Sequence, residues 1–244
     1  MTLLRFTLRD PPFAGRTGRG VRVAVVDSGV TAGHPHVGDV LESVCLDPAA
    51  ADGSTTDRMG HGTAVAAAIK EKAPGIELVS VKVFDRTLTT SADVLARAIT
   101  WSADHGVRLI NLSLGTANPA RAEILSEAIA HAASCGAIVV SARESEGTDW
   151  LPGSLPGVAG VLVDWMFERD EMALEAGKTG DAIWRASAYP RPIPGVPRER
   201  NLSGVSFAVA NVTGFLARLL ERNARARTAA DASRLLTAVS PRGE

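Results

Sequence analysis

Cysteine is almost absent from this 244-residue chain, which has only Cys45 and Cys135. Two thiols cannot staple a disulfide-dense secreted scaffold. We expect both to be reduced and buried, with a single bridge between them left open. Aromatic residues are scarce as well, at 5% with one tyrosine, so the core has to be built from Val, Leu, Ile and Ala. Neither sign of charge is in excess: 26 Lys+Arg against 27 Asp+Glu leave a net charge of -1, without the basic face a polyanion requires. No nucleic-acid partner is expected. Long apolar runs are missing too. Nothing is fit to span a bilayer, and residues 1–20, interrupted by Arg5, Arg9, Asp10, Arg16 and Arg19, lack the continuous apolar stretch of a secretion signal. The expectation is a cytoplasmic chain with no membrane partner.

Glycine, in contrast, is plentiful at 23 residues, and 45% of the chain is hydrophobic, which suits an α/β protein with many tight turns and close backbone approaches. Short β-branched runs at 21–26, 77–83, 107–114, 136–140 and 158–163 read as strands. Between and after them, 63–72, 91–105, 120–135 and 205–224 read as helices, with Gly106 and Gly136 placed to end two of them. Strand and helix in alternation predict a mainly parallel β-sheet flanked by helices on both faces, its functional residues near the carboxyl ends of strands. Residues 164–203, crowded with Pro190, Pro192, Pro194 and Pro197, read as a long surface loop. The length fits one domain at 21–244, preceded by an N-terminal extension at 1–20.

Three residues have the makings of chemistry. Asp27 closes the first strand, His61 stands in Gly60-His61-Gly62-Thr63 at the head of a small-residue helix, and Ser206 stands in Gly204-Val205-Ser206-Phe207-Ala208 at the head of another. A hydroxyl nucleophile, an imidazole to take its proton and a carboxylate to orient that imidazole are the parts of a hydrolytic triad. Each part alone has a plainer reading, as a turn, a cap or a satisfied polar residue. Together, in the order Asp, His, Ser, they resemble the subtilisin-like serine peptidases from about Arg22 to about Leu220. The order is the subtilisin one, and Ala73-Pro74-Gly75-Ile76-Glu77-Leu78 and Ile110-Asn111-Leu112-Ser113-Leu114-Gly115 resemble the connecting blocks. The serine motif departs from the family at Val205, Phe207 and Ala210, where Thr, Met and Pro are usual.

This resemblance implies a subtilisin-like fold and a serine endopeptidase that forms an acyl-enzyme on Ser206, with His61 as general base and Asp27 orienting it. Ser113, Leu114 and Gly115 would pair with an extended peptide. The family's oxyanion-hole asparagine is replaced: its position falls on Ser145, with Arg143 a second candidate donor, and Glu144 stands where the family has glycine in the pocket-lining loop. That loss implies a slow or selective enzyme, suited to limited processing of a peptide or protein. Two other functions remain open: a catalytically silent peptide-binding module, and an acyl transferase or peptide cyclase. His34, His36, His61 and Asp27 lack regular metal-ligand geometry and no loop gathers carboxylates for calcium, so neither a metal nor a cofactor is expected. The sequence leaves the oligomeric state open.

Overall fold

The computed structural model describes residues 3–50, 52–177 and 181–239, with the backbone alone at position 145. Its strands are β1 (Leu3–Thr7), β2 (Arg22–Asp27), β3 (Glu42–Cys45), β4 (Glu77–Lys82), β5 (Leu109–Leu112), β6 (Ile138–Ala142), β7 (Glu144–Ser145), β8 (Thr148–Asp149), β9 (Ala159–Asp164), β10 (Glu171–Ala176) and β11 (Ala182–Ser187). The helices are α1 (His61–Lys72), α2 (Ala92–Asp104), α3 (Ala122–Cys135), α4 (Val205–Leu220) and α5 (Ala229–Val239). Nine strands form one sheet in the order β1-β10-β11-β9-β6-β5-β2-β4-β3. Every neighbouring pair from β11 to β3 is parallel, and β10 and β1 complete the other edge antiparallel. A separate small hairpin joins β7 and β8.

The two-residue period of a strand explains why helices cover both faces. In β2, Val23 and Val25 enter a core shared with α1, α4 and α5, whereas Ala24 and Val26 enter the other, shared with α2 and α3. A strand buried on both faces is an uninterrupted apolar run, as in Val23-Ala24-Val25-Val26. The central strands therefore have all their carboxyl ends on one edge, and Asp27 is the last residue of β2.

Three expectations are corrected. Residues 164–203 are not one surface loop, because β10 and β11 form an antiparallel pair within the sheet and Trp184 is fully buried. Charged residues on these strands disguise the pattern, yet they pair with each other, Arg185 Nε donating to Glu175 Oε2 at 2.7 Å. Only the proline-rich part beyond Ser187 is irregular. Residues 1–20 are likewise built into the domain: β1 pairs with β10, and fully buried Phe13 packs edge-on against Phe215, ring centroids 5.0 Å apart. Glu221 ties the segment down further, accepting the backbone N–H groups of Thr17 at 2.6 Å and Gly18 at 2.7 Å. Finally, the two free cysteines are not buried as expected: Cys45 is half-buried and Cys135 exposed.

Candidate active site

The edge that carries Asp27 also receives the start of α1. His61 is the first residue of that helix, and its Nδ1 lies 2.7 Å from Asp27 Oδ1. The carboxylate is fully buried, and the imidazole is 19% exposed. Asp27 Oδ1 also accepts the Ser28 backbone N–H at 2.8 Å. Such an arrangement fixes the imidazole tautomer, with the proton on Nδ1 and the Nε2 lone pair free to act. The glycine after the histidine has a steric cause: a Cβ at Gly62 would stand 2.1 Å from the Gly29 carbonyl oxygen and 3.1 Å from Asp27 Cβ. Only glycine lets the helix start this close to the end of β2.

A second carboxylate, Asp57, holds the same turn. Its Oδ2 accepts the Thr63 hydroxyl at 2.6 Å and the Thr63 N–H at 2.9 Å. Its Oδ1 accepts the Gly60 N–H at 2.8 Å and the Ser28 hydroxyl at 2.8 Å. Ser28 Oγ in turn accepts the Gly62 N–H at 3.0 Å. Burial pushes the Asp57 pKa up, but hydrogen bonds from Thr63, Ser28 and Gly60 outweigh it and the net movement is down. Asp57 thus remains an anion beneath the unpaired N–H groups of a helix start, where a negative charge is favourable. Sequence reasoning missed it; the available signal was an Asp shortly before a predicted helix.

Burial of His61 favours its neutral form, whereas the hydrogen bond and charge of Asp27 and the charge of Asp57 favour the imidazolium. The anions prevail, and the pKa lies above the ordinary 6.5. Beside the imidazole, Phe207 places its ring centroid 6.0 Å away, so the start of α4 reaches the same edge. Ser206 is in the first turn of α4, and its Oγ donates to the Ser113 carbonyl at 3.4 Å. Behind it, buried Asn111 donates to Ser113 Oγ at 3.0 Å and accepts from Thr213 Oγ1 at 2.9 Å, binding the end of β5 to α4.

The remaining expected residues diverge. Ser113, Leu114 and Gly115 follow β5, and the next residue, Thr116, exchanges two backbone hydrogen bonds of 2.9 Å with Leu151. Arg143 turns away to an ion pair, its Nη1 donating to Asp181 Oδ2 at 2.5 Å. Glu144 is exposed in β7, opposite Asp149. The backbone of Ser145 pairs with Thr148, while its side chain lies outside the described residues. A cavity of about 400 Å³ adjoins the site, lined by Gly60, Thr63, Ala64, Ile193 and Leu202 among others.

Residues 18–157 match the sequence profile of the Subtilase family, a span that holds Asp27 and His61 and ends before Ser206. The chain is 34% identical over 220 residues to Subtilisin Savinase of Lederbergia lenta, covering 86% of this chain and 79% of that protein. It is equally similar to M-protease of Shouchella clausii (strain KSM-K16), 34% over 220 residues, but spans 56% of that protein's length. Among solved structures, a cold adapted subtilisin-like serine proteinase superposes with a TM-score of 0.71 at 23% identity, over 92% of this chain and 83% of that one. A lanthipeptide protease superposes at 0.65 with 19% identity, over 90% and 81%. The chain belongs to the subtilase family of serine peptidases.

Proposed function

We propose that this protein is a serine endopeptidase in which Ser206 attacks a peptide carbonyl, His61 takes the hydroxyl proton and returns it to the leaving amine, and Asp27 orients His61. The observation that carries the reading is the 2.7 Å contact between His61 Nδ1 and buried Asp27 Oδ1, with Ser206 in the first turn of α4 next to Phe207, whose ring centroid lies 6.0 Å from that of the imidazole. Negative charge on the tetrahedral oxygen would meet the N-terminal end of α4, where backbone N–H groups have no partner in the helix. Family membership supports peptide-bond hydrolysis as the reaction, and a 400 Å³ cavity next to Gly60 and Thr63 offers a place for a side chain of the bound peptide.

Selective processing of a peptide or protein in the cytoplasm is the finer part of the proposal. The selectivity rests on the oxyanion loop, where Arg143 is engaged by Asp181 and the sequence has Ser145 in place of an amide donor. Loss of one such donor lowers kcat by about 10²–10³ in subtilisin, a member of this family. The test is labelling by a fluorophosphonate probe, followed by cleavage of a peptide library. Ser206-dependent labelling with cleavage at few sequences is the expected result. Labelling unchanged in Ser206→Ala would sink the mechanism, and casein digestion at the rate of an ordinary subtilisin would sink the selectivity.

A further inference from the structure

On the far side of the sheet from α1 and α4, three side chains capable of binding metal come together. Asp104 is the last residue of α2, and His131 and Cys135 stand four apart on the last turns of α3, hence on one face of that helix. His131 Nε2 is 2.6 Å from Asp104 Oδ1 and 3.8 Å from Cys135 Sγ, and the three donor atoms all lie within 4.8 Å of one another. Donors bound tetrahedrally to an ion at about 2.0–2.3 Å are themselves roughly 3.3–3.7 Å apart. The three atoms therefore reach that geometry with movements smaller than a bond length.

We infer that Asp104, His131 and Cys135 form a binding site for a divalent ion of the zinc type, which clamps α2 to α3. Thiolate, imidazole and carboxylate together suit zinc or cobalt and are a poor set for calcium or magnesium, which take oxygen ligands alone. The Asp104 oxygen that now faces His131 Nε2 becomes a ligand, the imidazole carries its proton on Nδ1, and Cys135 gives its thiol proton to solvent as the metal–sulfur bond forms. Water completes the tetrahedron. The two helix ends add a favourable field, since the carbonyl-rich end of each helix carries partial negative charge; Arg227 already reaches one of them, Nη2 donating to the Ser134 carbonyl at 3.5 Å. Both helices end just before their strands, β5 and β6, begin, at the opposite edge of the sheet from Asp27. The ion would hold the scaffold and take no part in peptide cleavage.

The reduced, metal-stripped full chain should bind one equivalent of Co²⁺ with a thiolate-to-cobalt charge-transfer absorption, and Zn²⁺ should displace it. Cys135→Ser should abolish that absorption and His131→Ala should lose the stoichiometric binding, while His34→Ala/His36→Ala should retain both. Zn²⁺ should raise the Tm of the parent chain and leave that of Cys135→Ser unmoved. Fluorophosphonate labelling of Ser206 should be the same with and without the ion, so this inference and the proposed reaction stand or fall separately. Absence of saturable one-to-one binding, its survival in Cys135→Ser, or its loss in the His34/His36 variant would overturn the site.

Discussion

Asp57 accepts the Thr63 hydroxyl at 2.6 Å, two residues beyond the histidine whose charge it also biases. We expect Asp57→Asn to move the acid limb of kcat/KM to lower pH. A general base must be neutral, and removing one of the anions that raise the His61 pKa lets the imidazole lose its proton earlier. The same change weakens a helix start and should lower stability by about 1–2 kcal/mol. Stability has its own pH signature: a raised imidazole pKa contributes fully below the ordinary 6.5 and is lost as pH rises through the folded value. Asp57→Asn should flatten that slope. An unmoved acid limb would show that Asp57 acts through shape alone.

Arg143 is expected to contribute little to the chemical step. Its guanidinium is held by Asp181 at 2.5 Å, so Arg143→Ala should reduce kcat by well under the roughly 10²–10³ that accompanies loss of an oxyanion donor. Steady-state kinetics of the purified variant decide the matter. A loss of that full size would restore Arg143 to the oxyanion hole.

Lys72 is an ammonium buried at the end of α1, beside Glu71 at 3.4 Å and with 2% of its side chain exposed. Burial is the chief cause that pulls its pKa from 10.5 to about 8. Below pH 8 both folded and unfolded chains carry the charge, and the full cost of burying it, about 3 kcal/mol, stands. Between 8 and 10.5 the unfolded chain holds the proton that the folded one releases, so stability rises with pH across that window. Lys72→Met should accordingly raise the denaturation midpoint at pH 7, by less as pH approaches 10.5. Glu71 keeps Arg169 as its partner in the variant. Equal or lower stability at pH 7 would contradict the burial argument.

Phe13 tests whether the N-terminal segment is part of the core. Its ring is fully buried between Phe6 and Phe215, and Phe13→Ala should cost about 3–5 kcal/mol. Urea titration would register this as a lowered midpoint with an unchanged slope. A loss below about 1 kcal/mol would mean that the segment packs loosely.

Legibility in the sequence followed burial pattern and proximity. The central strands and the first four helices were readable because each is a continuous apolar run or an amphipathic period bounded by turns, and Asp27 and His61 sit at their ends. β10 and β11 were hidden because Glu171, Glu175 and Arg185 interrupt the apolar pattern, and because the prolines at 190–197 coloured the whole stretch. β1 and Phe13 were hidden because an edge strand is short and half exposed, with a pairing partner more than 160 residues away. Asp57 escaped for a related reason. An Asp shortly before a helix is a faint local signal, and only the fold brings the distant Ser28 hydroxyl to it beside the nearby Gly60 and Thr63 donors. The Arg143–Asp181 pair likewise joins distant loops, so the sequence could not indicate where that guanidinium points.

Under the proposed function, the backbone hydrogen bonds exchanged by Thr116 and Leu151 close one end of the segment expected to bind a peptide. A peptide laid along Ser113–Gly115 would meet at Thr116 a residue whose N–H and carbonyl are already committed to Leu151. The wall there is tight as well, since a Cβ at Gly115 would meet the Leu151 carbonyl oxygen at 2.6 Å and the Trp150 ring at 2.8 Å. A recognition frame only a few residues long would then carry little information in backbone pairing, so discrimination among peptides would fall to the side chains that fit beside Trp150 and Leu151.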